Sequence, residues 1–134
     1  MREKTFEEVL ARFRTIAFRE QFDCIVAIAE GGIIPAAILN QRLRTELFLL
    51  KINFRAEDQV PRYDRPKLLA PIDFDYAGKR VLLVDDRVKT GATLALAREM
   101  LADAALLRTF AVNGKADYAL YDEACFRFPW IIPN

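Results

Sequence analysis

Two adjacent carboxylates followed by a run of small polar residues give this sequence its strongest chemical signal. Asp85 and Asp86 come directly after four apolar residues, and residues 90–93 read Thr-Gly-Ala-Thr. Among such small residues the backbone N–H groups can converge on one ligand, next to two hydroxyls and the start of a helix, which favours phosphate. The pattern predicts a phosphate site at residues 85–93, which we call the phosphate motif.

The two carboxylates indicate which kind of phosphate compound would bind. Asp85 and Asp86 would repel a bare phosphate, but they can accept hydrogen bonds from hydroxyls or hold a metal ion. A sugar phosphate with neighbouring hydroxyls suits both halves of the motif. The sequence lacks the patterns G-x-x-x-x-G-K-[ST] and G-x-G-x-x-G, and a receiver domain would place its paired acids after the first strand, whereas these follow the third.

Composition excludes several other classes of function. The chain has 134 residues, which fits a single domain over residues 1–134, a net charge of +1 and no histidine. Without histidine, Ser/His and Cys/His nucleophile pairs and the usual zinc sites are ruled out. The near-neutral charge and the short apolar runs predict no nucleic-acid partner and no membrane span. We expect Cys24 and Cys125 to be buried free thiols in a cytoplasmic protein.

Alternating apolar segments predict an α/β domain with a mainly parallel, twisted sheet flanked by helices. A capping box at residues 5–8 begins a helix that the apolar spacing extends to about residue 19. The other predicted elements are strands at 24–29, 47–54, 81–84 and 106–112, helices at 35–43 and 92–104, and short strands at 118–121 and 125–128. Residues 55–71 are polar and poorly periodic, which is typical of a loop that closes over a ligand.

Two strand ends are expected to form one site. Ligands of parallel sheets bind at the carboxyl ends of the strands. Two segments leave such ends and enter predicted helices: the phosphate motif and residues 30–32, Glu-Gly-Gly, which we call the glycine turn. We therefore expect these two segments to be the walls of one binding site.

The motifs resemble those of a known family. Residues 81–93 are similar to the phosphoribosyl pyrophosphate (PRPP) signature of type I phosphoribosyltransferases, and residues 25–36 are similar to the pyrophosphate loop of that family. Residues 115–130 resemble the end of its purine-type branch, which often closes with Pro-Trp, although an edge strand with a packed aromatic explains this tail equally well. The resemblance implies a phosphoribosyltransferase-type fold with a small hood formed by the terminal segments.

The family transfers ribose 5-phosphate from PRPP to a nitrogen nucleophile and releases pyrophosphate. The resemblance implies that Mg²⁺ neutralises the leaving pyrophosphate and that the two acids hold the ribose hydroxyls and the metal near an oxocarbenium-like transition state. The implied catalytic and metal residues are Asp85 and Asp86; the 5-phosphate residues are Lys89, Thr90, Gly91, Ala92 and Thr93; the pyrophosphate residues are Glu30, Gly31, Gly32 and Lys51. Residues 55–71 would be the mobile loop that closes over PRPP and excludes water.

Three positions depart from the family pattern, most of them on the acceptor side. Lys89 stands where purine enzymes often have an aspartate that serves as a base, and Glu30 stands where many members have a basic residue. Asn113 lies near the position at which purine enzymes have a lysine that reads the base carbonyl, and an asparagine amide can still donate a hydrogen bond to that carbonyl. Asn113, Phe126 and Trp130 are the implied base-binding residues.

Two hypotheses follow from this pattern. The first is a PRPP- and Mg²⁺-dependent phosphoribosyltransferase that acts on a small nitrogenous acceptor such as a purine base. The second is a non-catalytic sensor that binds PRPP or a nucleotide, with the acceptor chemistry lost. The absence of an additional DNA-binding or regulatory segment favours the enzyme. The sequence leaves the oligomeric state open, with a homodimer as one option.

Overall fold

The protein folds around one mixed sheet. The computed structural model describes residues 3–53, 67–68 and 70–133. Its strands are β1 (Cys24–Ala29), β2 (Glu46–Asn53), β3 (Lys67–Leu68), β4 (Arg80–Arg87), β5 (Leu106–Asn113) and β6 (Tyr118–Tyr121), and its helices are α1 (Phe6–Thr15), α2 (Ile33–Leu43) and α3 (Ala92–Met100). The strand order is β3-β2-β1-β4-β5-β6. All neighbours pair in parallel except β2 and β3, which confirms the predicted α/β class.

Helices cover both faces of the sheet, which explains the uninterrupted apolar runs of the central strands. Every residue of β1 is buried, as are residues 81–85 of β4. On one face α1 and α2 contribute Phe13 and Leu39 to a core that also contains Phe110. On the other face α3 contributes Leu94 and Ala97 to a second core. The sheet is therefore the rigid centre from which the strand ends project.

The capping box of α1 is confirmed, but the helix is shorter than predicted. The Thr5 hydroxyl accepts from the backbone N–H of Glu8 at 3.1 Å, and the helix ends at Thr15 instead of near residue 19. Ile16 has an extended backbone, and Arg42 Nη1 donates to its carbonyl at 2.9 Å. Beyond this point Phe18 packs edge-on against Tyr118, with 4.8 Å between ring centroids. A tertiary contact thus overrides the local helical pattern.

Three other predictions need correction. The helix at 92–104 ends at Met100. The strand predicted at 125–128 is not formed, because Arg127 makes only an isolated bridge with Glu3. Cys24 is buried as expected, but Cys125 is exposed.

The two ends of the chain meet to form a hood, which we define as residues 3–5 and 122–133. The isolated bridge and an ion pair join Glu3 to Arg127. Trp130 lies 6.2 Å from the ring of Phe6 and stacks on Phe128 at 5.2 Å, both measured between centroids. This agrees with the small terminal hood implied by the family resemblance.

Candidate functional site

The strand register brings the predicted site residues to one edge of the sheet. Lys51 pairs with Ala29, the last residue before the glycine turn. On the other side of β1, residue 87 of β4 pairs with Asn113 at the end of β5. The carboxyl ends of β2, β1, β4 and β5 therefore lie side by side, as expected for a ligand site in a parallel sheet.

The two acids belong to β4, not to the loop after it as the sequence suggested. β4 continues to Arg87 because its end pairs with β5, where Asp85 lies opposite Ala111. Asp85 is only 9% exposed, whereas Asp86 is partly exposed. Strand pairing thus fixes the backbone of both acids, which a free loop would leave mobile.

The glycine turn lies directly against β4. A Cβ atom on Gly32 would lie 2.2 Å from the Val84 carbonyl oxygen, so only glycine fits there. A Cβ on Gly31 would lie 2.7 Å from the carboxyl atoms of Asp86. The peptide between Ala29 and Glu30 is cis. The structure therefore brings the two segments together, with the Asp86 carboxylate facing the backbone of Gly31.

The two neighbouring carboxyls have different surroundings. Burial, and next the negative charge of Asp86, raise the pKa of Asp85 well above its ordinary value. The backbone N–H of Asp86 donates to Asp85 Oδ1 at 2.8 Å, which offsets part of this effect. Asp85 is therefore an anchored carboxyl whose charged form is disfavoured, and Asp86 is the one that projects towards the glycine turn.

The second half of the phosphate motif is an open turn that leads into α3. Gly91, the residue before the helix, has φ 84°, and nothing lies within 4 Å of a Cβ built on it. Lys89, Thr90 and Ala92 are exposed. The Thr90 hydroxyl accepts from the Ala92 N–H at 3.2 Å. The turn thus presents a helix start, a hydroxyl and an ammonium group to solvent at the same edge as the acids.

A cavity of about 400 Å³ lies beside the first turns of α3 and extends from Gly91 to Arg98. Its polar wall is internally satisfied. Asp117 accepts from the N–H and hydroxyl of Thr109 at 2.8 and 3.1 Å, and from Arg98 at 3.4 Å. The cavity adjoins the phosphate motif but does not include the acids, so we treat it as a neighbour of the site.

Of the three residues implied in base binding, the structure buries two. Asn113 is 3% exposed, and Phe126 is 1% exposed with Tyr121 and Phe128 packed edge-on against its ring. The amide of Asn113 exchanges two hydrogen bonds with the backbone of Glu123. Trp130 is partly buried in the hood. All three thus lie in or beside the hood.

Sequence reasoning missed Arg87. Its Nη2 donates to the Phe126 carbonyl at 2.7 Å, and its guanidinium carbon lies 4.6 Å from the centroid of the Phe128 ring. Within the described part of the chain, Arg87 Nε is a buried donor without a partner. Arg87 joins the strand of the acids to the hood. A basic residue directly after the two acids, where the family signature is mostly apolar, was the available signal.

The predicted closing loop falls mostly outside the described residues. This applies to residues 55–66 and 69, which include Arg55, Arg62, Tyr63 and Arg65. Residues 67–68 of the predicted loop form β3 instead, antiparallel to the end of β2. In the described ranges, no helix is both long and apolar enough to cross a bilayer.

Comparison with known proteins agrees with this fold. The sequence model of the phosphoribosyl transferase domain matches residues 6–126. The chain therefore belongs to the phosphoribosyl transferase domain family, which confirms the resemblance drawn from the two motifs.

Individual relatives point the same way. The chain is 36% identical to a xanthine-guanine phosphoribosyltransferase of Chromohalobacter salexigens, over 81% of this chain and 68% of that enzyme. It is 26% identical to the enzyme of the same name from Idiomarina loihiensis, over 94% of this chain and 84% of that enzyme. The crystal structure of a purine phosphoribosyltransferase from Pyrococcus horikoshii superposes with a TM-score of 0.81 at 26% identity, covering 99% of this chain and 96% of that one.

Proposed function

We propose that this protein transfers ribose 5-phosphate from PRPP to a ring nitrogen of a purine base and releases pyrophosphate. The observation that supports this most directly is the contact between Gly31 and the Asp86 carboxylate, since it unites the two PRPP motifs in one site. The family match and the purine-directed names of the relatives support the choice of a purine as acceptor.

The acids serve the sugar in this proposal. Asp86 accepts from a ribose hydroxyl, and Asp85, held by the Asp86 N–H, supports it from inside the strand. As the bond to pyrophosphate breaks, positive charge develops on the ribose ring, and a fixed carboxylate beside it lowers the energy of that state. Because β4 holds both backbones, little reorganisation is needed at that moment.

The phosphate groups occupy the two ends of the site. The 5-phosphate is held by the backbone of the turn and first helical residues, aided by side chains of the phosphate motif; these residues are Lys89, Thr90, Gly91, Ala92 and Thr93. Their position at the start of α3 adds the positive end of the helix dipole. The pyrophosphate lies at the backbone of Gly31 and Gly32, with Lys51 beside it at the end of β2.

A magnesium ion fits the donor chemistry of this edge. Mg²⁺ in proteins is commonly held by one or two carboxylates together with phosphate oxygens of the substrate. Asp86, which faces Gly31, and the exposed Glu30 of the glycine turn are the carboxylates available to the ion, with Asp85 behind Asp86 in β4. When bound, the ion neutralises charge on the leaving pyrophosphate. Glu30 contributes here through the ion, because a carboxylate repels pyrophosphate directly.

The purine binds between the acids and the hood. Asn113 donates its remaining amide N–H to a base carbonyl, and Trp130 is better placed than the fully packed Phe126 to offer a face for stacking.

We further propose a single domain over residues 1–134, a cytoplasmic location, no nucleic-acid or membrane partner, and a homodimer as the assembly to test first.

Pyrophosphate release provides the decisive experiment. Purified protein is incubated with PRPP, Mg²⁺ and hypoxanthine, guanine, xanthine or adenine in turn. Release that requires both PRPP and one of the purines, and that is lost in Asp86→Asn, supports the proposal. PRPP binding by calorimetry without release for any base would identify a binding protein instead. Absence of PRPP binding would contradict both alternatives.

A further inference from the structure

Lys4 is a buried cation that is distant in sequence from the acceptor-side residues, which lie near the other end of the chain. Its side chain is 2% exposed, and its Nζ lies 2.8 Å from Oε1 of Glu123. The same Nζ lies 4.4 Å from the ring centroid of Tyr121 and 4.9 Å from that of Phe126. A lysine is rarely buried unless its charge is compensated. Here a carboxylate and the faces of two rings provide that compensation.

The partner of Lys4 holds Asn113 through its backbone. The Glu123 N–H donates to Asn113 Oδ1 at 3.0 Å, and Asn113 Nδ2 donates to the Glu123 carbonyl at 3.1 Å. This pair of bonds fixes the orientation of the amide, because a flip would place two donors and two acceptors against each other. One N–H and one lone-pair direction of the Asn113 amide remain free of these bonds.

This contact chain ends at the candidate site. Asn113 is the last residue of β5 and pairs with Arg87, the residue that follows Asp86 on β4. The ion pair between buried Lys4 and Glu123, whose side chain is 42% exposed, together with the backbone of Glu123 and the Asn113 amide, therefore forms a continuous connection from the hood to the strand edge. It meets the phosphate motif through the backbone, since Asn113 pairs with Arg87 and its carbonyl accepts from the Val88 N–H at 3.0 Å. The side-chain amide of Asn113, by contrast, is bonded to Glu123.

We propose that Lys4 is a positioning residue that acts on acceptor binding through Asn113. By holding the Glu123 turn against β5, it keeps the Asn113 amide oriented for a purine carbonyl. The proposal rests on the proposed function, in which Asn113 faces the base. It requires no contact between Lys4 and either substrate.

The first test does not depend on activity. Exchange of the Asn113 side-chain amide protons is followed by NMR, with the signals assigned from their loss in Asn113→Asp. Lys4→Met keeps most of the apolar stem and removes the charge, and it should accelerate this exchange on the order of tenfold. Glu3→Gln is the matched control, since it removes the exposed neighbouring ion pair with Arg127 and leaves the pair between Lys4 and Glu123 intact. Equal protection in the wild type and in Lys4→Met would overturn the proposal.

The second test separates the two substrates. Lys4→Met should raise KM for the purine several-fold with KM for PRPP unchanged. Lys4→Arg keeps the positive charge and should have a purine KM close to that of the wild type. If Lys4→Met does not fold, Glu123→Gln replaces it, because the amide keeps the shape and removes the carboxylate charge. Equal changes in both KM values, or an unchanged purine KM with accelerated exchange, would refute the positioning role. A wild type that turns over no purine refutes the proposed function, while the exchange experiment still decides whether Lys4 holds Asn113.

Discussion

The PRPP side and the acceptor side of the candidate site are built in different ways. On the PRPP side, two short segments meet through backbone and adjacent carboxylates, with Gly31 against Asp86. On the acceptor side, the contacts join residues far apart in sequence. Arg12 donates to the Leu120 carbonyl 108 positions later, and Lys4 pairs with Glu123.

This difference explains why the two sides differ in how closely they follow the family pattern. Backbone amides bind phosphate almost independently of side-chain identity, provided that the local conformation is kept. A base pocket depends on side chains fixed by tertiary packing, so its chemistry can change while the fold persists. Substitutions on the two sides should therefore have separable effects on PRPP and on the purine.

The largest effect is expected for Gly91→Val. Gly91 has φ 84° with open space around it, so valine would strain the backbone and shift the amides without any steric clash. Ribose 5-phosphate binding should be lost in calorimetric titration. Gly78→Val is the control, since Gly78 has φ 72°, equally open surroundings and a position outside the phosphate motif. Both variants should lose roughly 1–3 kcal/mol of stability, but only Gly91→Val should lose binding. Retained binding in a folded Gly91→Val protein would place the phosphate elsewhere.

The second effect concerns the acids. Asp86→Asn should weaken Mg²⁺–PRPP binding about 10- to 150-fold, because a charge-assisted hydrogen bond contributes roughly 1.5–3 kcal/mol. Asp85→Asn should weaken it less, since this buried carboxyl acts by supporting Asp86. Asp122→Asn removes an exposed acid of the hood and should leave PRPP affinity unchanged. Titration calorimetry measures all three. Unchanged PRPP affinity in both Asp85→Asn and Asp86→Asn would show that the ribose does not bind at the end of β4.

The third effect distinguishes two roles for Lys89. If the exposed lysine is a phosphate ligand, Lys89→Asp should weaken PRPP binding about tenfold or more, because attraction is replaced by repulsion. Arg14→Asp on the exposed side of α1 makes the same change of charge away from the site. Steady-state rates with hypoxanthine, guanine and xanthine are measured in parallel. Higher purine turnover with undiminished PRPP affinity would show instead that a carboxylate base belongs at this position.

The smallest effect is on stability and follows from the raised pKa of Asp85. The folded protein holds this proton more tightly than the unfolded chain does. The carboxyl therefore stabilises the fold at low pH and loses that contribution as the pH rises through the raised pKa. Asp85→Asn should be more stable than the wild type at pH 8, and the difference should vanish near pH 4. Urea unfolding at the two pH values measures it. A difference in unfolding free energy that does not change between the two pH values would contradict this assignment of a raised pKa.

Much of the PRPP side was predictable because its chemistry and its structural context are local. An apolar run, two acids and Thr-Gly-Ala-Thr fix a strand end, a turn and a helix start within thirteen residues, 81–93. The Gly-Gly pair likewise indicates where β1 ends and where a turn leads into the next helix. The parallel pairing of the strands then follows from the alternating elements, and it places both segments at one edge.

The sequence by itself determined the α/β class, the order of the main elements and the identity of the two PRPP motifs. Only the tertiary structure decided that Asp85 and Asp86 belong to β4, because pairing with β5 extends the strand to Arg87. It also decided the orientation of the Asn113 amide and the charge compensation of buried Lys4, since both depend on contacts with Glu123. Local periodicity reports which face of an element is apolar, but it contains no information about which distant side chain will complete a polar contact.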